Sequence, residues 1–427
     1  MAALPKPRIY RGWWIVFTGY LSQAATVGSS GWVFGVLILP MQEDLGWSRS
    51  ELVGVVTLSR LISGVLAARL GPVVDRSGAR SLMTLSALGA AACLLGTAAS
   101  QNQWQYYLCW AGFGVCMPGL SNIGPAVAIS NWFVRKRAQA VMIFTFGSAT
   151  AGLVLAPVMS AVAGAHGWRA AWVAMALIFL TVAPLAWHFV RRRPEDFGLL
   201  PDGANAEPIE QDIDEAKPAP DDAEPEWTVR QALHSHSFWL VTFAFMLTSF
   251  PASSIFIHMP SFVESKGFSS GEGAAAVSFY GAGVLAGRFT WGFIVSRIGV
   301  YRALVAYGFS YGLSIFLFVA PHALPLIYAT TVLLGVSIAG AQQLHVQAFP
   351  EYFGRRIVGS LLGYAGVAAA LTGSAAPLLA AAAYDHSQSY SLTFSVFGAF
   401  CLIAGVAFLF SKPKAPARRP SPVTHGA

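Results

Sequence analysis

The sequence predicts an all-α integral membrane protein, in which twelve transmembrane helices form two pseudo-symmetric halves of six helices each. Two observations carry this prediction: apolar stretches without charge recur along the whole chain, and the loops between them repeat at an offset of about 220 residues. Of the 427 residues, 55% are hydrophobic and 11% charged, whereas a soluble domain carries about 25% charged residues. Because about 20 apolar residues cross a bilayer, the repeated stretches indicate membrane spans.

Charge-free stretches indicate the number of spans. Residues 12–42, 81–134 and 303–350 contain no Asp, Glu, Lys or Arg, and each of the last two is long enough for two spans joined by a turn. The first apolar run is too long and too aromatic for the core of a signal peptide, so we predict an uncleaved first span. The predicted spans, numbered 1 to 12 in chain order, are 13–38, 51–70, 80–100, 104–130, 138–163, 168–190, 237–260, 273–295, 301–320, 324–347, 357–382 and 389–411.

Basic residues of the short loops gather on one side of the predicted bundle, which we call the basic face. Cytoplasmic loops carry an excess of Lys and Arg, so both termini are predicted to be cytoplasmic, in a plasma membrane or bacterial inner membrane. The excess of Lys and Arg in these loops explains the net charge of +7, which attracts anionic membrane lipids. We do not interpret this charge as a sign of nucleic-acid binding. The basic face carries Lys6, Arg8, Arg11, Arg76, Arg80, Arg135, Lys136, Arg137, Arg191, Arg192, Arg193, Arg297, Arg302, Arg355, Arg356, Lys412, Lys414, Arg418 and Arg419, against Arg49, Arg169 and Lys266 on the opposite side.

Three loop motifs recur in the same order in both halves, which indicates an internal duplication of six spans. Because six is an even number, both copies start on the same side of the membrane. Such parallel repeats place a substrate site between the halves, near the middle of the bilayer. The matched loops are 46–51 and 267–272 after spans 1 and 7, 71–78 and 292–299 after spans 2 and 8, and 132–136 and 352–356 after spans 4 and 10.

The duplication divides the chain into two halves, a linker and a tail. We predict an N-terminal half at residues 1–190 and a C-terminal half at 237–411, joined by a cytoplasmic linker at 191–236. The middle of the linker is acidic and proline-bearing, which predicts mobility. The tail, 412–427, is proline-rich and basic, and we expect it to be disordered.

The loop after span 2 carries the most specific motif. Its sequence, Gly71-Pro-Val-Val-Asp75-Arg76-Ser-Gly78-Ala-Arg80, matches the G-x-x-x-D-R-x-G-x-R signature of the major facilitator superfamily, which the chain resembles over nearly its whole length. The resemblance implies the major facilitator fold, with this loop as a latch on the cytoplasmic side. Shorter motifs at 39–49, 132–137, 147–148, 167–169, 193–199 and 352–354 are similar to those of the monocarboxylate transporter and oxalate:formate antiporter branch.

Arg288 is the strongest candidate for a substrate contact. It lies in a run, 273–295, that holds no other charged residue, and a charge in mid-membrane costs on the order of 3 kcal/mol on insertion scales. A guanidinium can hold a carboxylate with two parallel hydrogen bonds. The branch keeps an arginine in span 8 that binds the substrate carboxylate, and Arg288 resembles it. The alternative is a structural arginine bonded to helix carbonyls or to a neighbouring helix.

Two departures from the branch bear on the substrate. Val284 stands where mammalian members keep an aspartate, and span 11 lacks the lysine of oxalate exchangers. This favours a monoanion over oxalate, unless Arg60 in the middle of span 2 supplies a second charge. Arg60 is thus a second anion contact or gating residue, or else a side chain bonded to backbone carbonyls.

Further candidates are polar residues within the spans. Asn122 resembles an asparagine of the branch and, like Tyr364 in span 11, is expected to shape the pocket. No acidic residue lies in the interior of a predicted span, so His258 and His345 are the candidates for proton coupling, unless both are non-titrating. Weaker candidates for the same cavity are Tyr280, Gln342 and Gln343.

These residues predict a secondary active transporter that moves a small organic monocarboxylate, such as lactate or pyruvate, with proton symport. Anion exchange of the oxalate:formate type is the close alternative, and a drug or metabolite efflux pump is a third class. The expected partners are the organic anion, protons and membrane lipids. The four cysteines fall in apolar helices and form no CxxC pair. We predict no enzyme activity, catalytic residue, cofactor or metal site.

Overall fold

A computed structural model describes residues 10–197, 199–203, 227–387 and 389–412, and every regular element within these ranges is a helix. Eleven of these helices are long and apolar enough to cross a membrane. One of them, Gly271–Val319, holds two spans, because Gly299 leaves the helical conformation with φ 79° and ψ 165°. A residue with a Cβ adopts a positive φ only with strain, so glycine is suited to this break. The predicted twelve-span all-α fold is confirmed.

The helices extend most predicted spans by a turn or more. The middle of the linker, 204–226, and the tail, 413–427, lie outside the described residues, so their predicted mobility stays a prediction. Spans 1 to 6 are Arg11–Leu45, Arg49–Ser77, Ala79–Ala99, Gln103–Trp132, Arg137–His166 and Trp168–Phe189. Spans 7 to 12 are His236–Ser265, 270–298, 300–319, Leu324–Phe353, Val358–Ser387 and Ser391–Leu409.

Spans 2 and 8 begin with the same cap. The Ser48 hydroxyl accepts a hydrogen bond from the Glu51 backbone N–H at 3.3 Å, and the Glu51 carboxylate accepts from the Ser48 N–H at 2.8 Å. Ser269 and Glu272 make the same two bonds at the same two distances. Such a capping box satisfies backbone N–H groups that a helix start leaves unpaired. The repeated loop sequence therefore folds into the same helix start in both halves.

Glycines let spans 8 and 10 approach each other closely, and this contact positions Arg288 beside span 10. A Cβ on Gly283 would lie 2.2 Å from the carbonyl oxygen of Val332, and one on Gly335 would lie 2.3 Å from that of Tyr280. Helices in membranes associate through such small residues, because lipid supplies no hydrophobic driving force between them. The backbones of the two spans are therefore in direct contact one turn from Arg288.

Gly283→Ala is expected to destabilise the protein by about 1–3 kcal/mol, since the added methyl group meets backbone and cannot be accommodated by a side-chain rotation. The matched control is Gly281→Ala on the same helix, where no described atom beyond the backbone of that helix lies within 4 Å of the added Cβ. The control should be neutral or gain up to about 1 kcal/mol of helix propensity. Thermal unfolding in detergent micelles compares the two variants, and equal midpoints would contradict this packing.

Candidate functional site

Two adjoining cavities lie between the halves of the bundle. The larger, of about 630 Å³, is bounded by spans 1, 5, 7, 8 and 10, and we call it the Arg288 cavity. The smaller, of about 480 Å³, is bounded by spans 1, 2, 4, 7, 10 and 11, and we call it the Arg60 cavity. Val27, Ala252 and Gln342 line both cavities, which therefore meet at these three residues.

Three spans of the N-terminal half are deformed where they border the cavities. Single π-helical turns interrupt spans 1, 4 and 5 at Gly28–Trp32, Pro118–Asn122 and Ala151–Leu155. Each turn contributes residues to the lining of at least one cavity. Such π-bulges inside α-helices are frequent at functional sites. The deformed turns thus mark the same region as the cavities do.

Arg288 is buried at the wall of the larger cavity, with 6% of its surface exposed. Its Nη1 donates to the carbonyl oxygen of Ala339 at 3.0 Å, and its Nη2 donates to Ser148 Oγ at 3.0 Å and to Gln342 Oε1 at 3.1 Å. Its Nε is buried without a hydrogen-bond partner. Because Ser148 belongs to span 5, this guanidinium connects the two halves of the molecule.

The partners of Arg288 are all neutral groups. Among the described residues, no Asp or Glu lines either cavity. A buried charge with only neutral partners is costly, and an anion that pairs with it removes much of that cost. The described ion pairs lie away from both cavities, and they are Arg137–Glu351, Arg169–Asp44 and Arg355–Glu195.

Arg60 lines the smaller cavity together with His345. The side chain of Arg60 is exposed to the cavity, and it has no hydrogen bond or ion pair within the described part of the chain. The His345 ring contacts Phe245 and Phe349 edge-on, with centroid distances of 4.8 and 5.6 Å. A positive charge and a titratable ring thus share this cavity.

Other predicted site residues lie elsewhere. Tyr364 is 40% exposed and lines neither cavity, because the cavity-facing positions of span 11 include Leu362 and Gly366, on the opposite side of the helix. His258 also lies outside both cavities, where its Nδ1 is 3.3 Å from the hydroxyl of Tyr390. The side chain of Asn122 lies outside the described residues.

The structure adds partners that the sequence analysis missed. Ser148 and the Ala339 carbonyl bind Arg288 directly, and Trp32 lines the same cavity. Ser148 follows Gly147, which packs against the backbone of span 1. The sequence signal for Ser148 was the pair Gly147-Ser148 in mid-span, which resembles a motif of the branch but did not indicate a contact with Arg288. Of the weaker candidates, Tyr280 and Gln342 line a cavity, whereas Gln343 is buried outside both.

Asp75 connects the two halves on the basic face. Its carboxylate accepts hydrogen bonds from the backbone N–H groups of Gly359 and Ser360, at 2.8 and 2.7 Å, and from the Ser360 hydroxyl at 2.5 Å. Gly359 and Ser360 belong to the first turn of span 11, whose unpaired N–H groups and helix dipole favour a carboxylate. Asp75 therefore caps a helix of the opposite half.

The other residues of the Asp75 loop shape this contact. A Cβ on Gly71 would lie 2.1 Å from the Gly359 carbonyl oxygen, so only glycine fits there without a backbone shift. Gly78 ends span 2 with φ 80°. The Arg80 guanidinium lies 3.7 Å above the Trp187 ring, and Arg76 is exposed. Asp75 and Gly71 thus make the cross-half contact, while Gly78 and Arg80 hold the loop.

Within the described residues, the second copy of the loop makes no such contact between the halves. Ser296 occupies the aspartate position, and its hydroxyl donates to the carbonyl of Phe293 in its own helix at 2.8 Å. Arg355 instead donates to the Asn131 carbonyl at 2.9 Å and to Glu195 at 2.5 Å. The basic face is therefore closed by an asymmetric set of bonds between the halves.

Comparison with known protein families decides the identity of this bundle. The Major Facilitator Superfamily model matches residues 19–306 and 267–426. The chain belongs to the Major Facilitator Superfamily. As a member of this superfamily it is an integral membrane transporter.

Individual relatives are distant. The chain is 24% identical to the MFS-type transporter pynF of Aspergillus niger over 393 residues. The aligned region covers 89% of this chain and 83% of that protein. It is 24% identical over 158 residues to an Escherichia coli (strain K12) protein named "Probable L-galactonate transporter", which covers 37% of this chain and only 34% of that protein.

Solved structures of the superfamily share the fold at low sequence identity. The proton:xylose symporter XylE matches with a TM-score of 0.70 and 12% identity, over 94% of this chain and 96% of the other. The human organic anion transporter MFSD10 matches with a TM-score of 0.69 and 15% identity, over 94% and 100%. These similarities concern the fold.

Proposed function

We propose that this transporter carries an organic carboxylate across the membrane by alternating access, and that Arg288 binds the carboxylate. The observation that supports this most is a buried guanidinium with only neutral partners, at the wall of a cavity between the halves. Its buried Nε has no partner, which adds to the cost of burying this charge without an anion. Membership of the monocarboxylate transporter and oxalate:formate antiporter branch is part of this proposal.

The sequence predicts an acid of the size of lactate or pyruvate. The volume of the cavity favours a larger acid. The cavity volume of about 630 Å³ lies within the range of about 300–1,000 Å³ that holds drug-sized ligands. The distant relative named as an L-galactonate transporter also takes its name from a carboxylate with a longer chain. We therefore include acids of six or more carbons among the candidate substrates.

Alternating access has a structural counterpart in the bonds between the halves. The Asp75 contact closes the basic face, while farther from that face the halves meet at Trp32 and Phe256, whose rings are 5.2 Å apart. Arg288 bonds to Ser148 across the halves between these two levels. An anion that draws Arg288 away from Ser148 would loosen the two halves, which links binding to the conformational change.

We prefer proton symport as the coupling mode. We also propose that both termini lie in the cytoplasm. His345 is the titratable side chain of the Arg60 cavity among the described residues, and it borders the junction of the two cavities near Gln342. An unperturbed histidine changes charge near neutral pH. Exchange of one organic anion for another is the alternative coupling, and it requires no proton carrier.

The test uses proteoliposomes that contain a pH-sensitive dye. Pulses of lactate, pyruvate, galactonate and adipate should produce saturable lumenal acidification with the wild-type protein and only passive leak with Arg288→Ala. Acidification of equal size in both would overturn the proposal. Uptake that requires a preloaded anion, without acidification, would indicate exchange. Transport of bulky cations that does not depend on Arg288 would favour an efflux pump.

A further inference from the structure

Arg60 is the intramembrane charge that the proposed function leaves unused. Two arginines near the ends of their spans have partners: Arg80 lies over the Trp187 ring, and Arg137 donates to the Phe133 carbonyl at 3.0 Å. Arg60 has no such partner within the described residues, although it lies near the middle of span 2. A charge at that depth is costly and usually faces a cavity that serves function.

The Arg60 cavity differs chemically from the Arg288 cavity. Its wall carries hydroxyl and amide groups, among them those of Gln23, Thr26, Ser63 and Ser121, with no carboxylate among the described residues. The Arg288 cavity is lined mainly by apolar side chains, with Arg288 and a few polar groups at one wall. The two cavities together thus offer two positive charges and, among the described residues, no negative charge to neutralise them.

The two arginines also lie at different depths. Spans 2 and 8 hold equivalent positions in the two halves and end at Gly78 and Gly299, which have nearly the same backbone angles. Arg60 precedes Gly78 by 18 residues, whereas Arg288 precedes Gly299 by 11 residues. At a rise of 1.5 Å per residue, the difference corresponds to about 10 Å along the helix axis. Arg60 is therefore the farther of the two from the basic face.

We propose that the Arg60 cavity is a second anion subsite, so that the preferred substrate is an extended organic dianion. One carboxylate binds Arg288, the second acidic group binds Arg60, and the chain between them passes the junction at Val27, Ala252 and Gln342. The inference rests on the proposed role of Arg288. Oxalate does not fit it, since its two carboxyl carbons are bonded directly to each other and cannot reach both arginines.

The experiment compares each diacid with its own monomethyl ester, which has the same length but lacks one charge. Adipate, suberate and their monomethyl esters are titrated against the purified protein in detergent, with ligand-induced thermal stabilisation as the readout. The wild type should bind the diacids about 10- to 100-fold more tightly than the esters, as expected for one charge-assisted contact. Arg60→Gln should bind diacid and ester equally and keep the wild-type affinity for the ester.

The matched control is Arg69→Gln, which removes the same charge from an exposed position of the same span, outside both cavities. It should keep the wild-type preference for diacids, and Arg60→Lys should keep most of it. The unliganded unfolding midpoint of each variant checks that it is folded. A preference that survives in Arg60→Gln, or a wild type that does not prefer diacids, overturns the second subsite.

A comparison of Arg288→Gln with Arg60→Gln distinguishes a failure of this inference from a failure of the proposed function. Arg288→Gln should lose affinity for diacids and esters alike. If it does so while Arg60→Gln behaves as wild type, the carboxylate site at Arg288 stands and the dianion inference fails. If Arg288→Gln binds both ligands as the wild type does, the proposed function fails, and the dianion inference fails with it.

Discussion

Replacing Arg288 by glutamine is expected to reduce saturable carboxylate uptake by at least about 30-fold. Truncating one partner of a buried, hydrogen-bonded charge pair costs about 2–5 kcal/mol, and each 1.4 kcal/mol is a factor of ten. The shorter, neutral glutamine gives up the bonds of the guanidinium to Ser148 and Gln342 together with the charge. The unfolding midpoint of Arg288→Gln without ligand therefore has to match that of the wild type before the loss of uptake is assigned to the missing charge.

Arg288→Lys separates charge from geometry. Lysine keeps the positive charge but replaces the planar fork by a single ammonium point charge. We expect uptake between those of the wild type and Arg288→Gln. The matched control is Arg297→Gln in the same span, an exposed arginine whose guanidinium lies 5.0 Å from the Phe293 ring. Initial rates of labelled carboxylate uptake compare the four proteins, and similar rates for Arg297→Gln and Arg288→Gln would argue against a specific role for Arg288.

Asp75→Ala is expected to open the basic face. The substitution removes three hydrogen bonds between the halves, all of which end on the carboxylate. Hydrogen bonds to charged groups contribute about 1.5–3 kcal/mol each, and their sum is reduced because water replaces them on opening. A net loss of about 2–3 kcal/mol would shift the balance of closed and open forms by about 30- to 150-fold.

The opening can be followed by chemical labelling. Val127 is buried behind the Asp75 contact, and its side chain would lie 3.2 Å from a Cβ on Gly359. In a protein whose native cysteines are replaced, Val127→Cys should react faster with a membrane-impermeant maleimide added at the basic face when Asp75→Ala is present. Ser77→Ala is the matched control, because that exposed hydroxyl donates to the carbonyl of Val73 in its own helix and has no other hydrogen bond within the described residues. An unchanged labelling rate in Asp75→Ala would show that the Asp75 contact does not hold the face closed.

The features of the fold that the sequence predicted correctly depend on residues close to one another along the chain. The span count depends on runs of apolar residues. The starts of spans 2 and 8 depend on Ser48 and Ser269, each followed three residues later by a glutamate. Such signals act within one or two helical turns, so a linear reading can detect them. The break at Gly299 was predicted in the same way, from a loop motif that repeats the one ending at Gly78.

The residues that line the cavities depend on which face each helix turns toward its neighbours. The sequence alone does not show this. Tyr364 and Gly366 both belong to a stretch of small residues in span 11, and only the packing of that span on span 2 decides that Gly366 faces the cavity while Tyr364 faces away. The same reason separates His345 from His258. Hydropathy in a membrane marks which helices cross it, but both lipid and protein contacts are apolar, so it does not mark the direction of each helix face.

The sequence by itself thus determined the twelve spans, the capped starts of spans 2 and 8 and the presence of two costly intramembrane arginines. Only the tertiary structure decided that Arg288 bonds to Ser148, 140 residues away, and that Asp75 caps span 11 from the other half. Helix formation and capping are local, because each bond closes within four residues. The cavities arise where six-helix halves meet, so their chemistry depends on which helix faces are turned toward each other across hundreds of residues of chain.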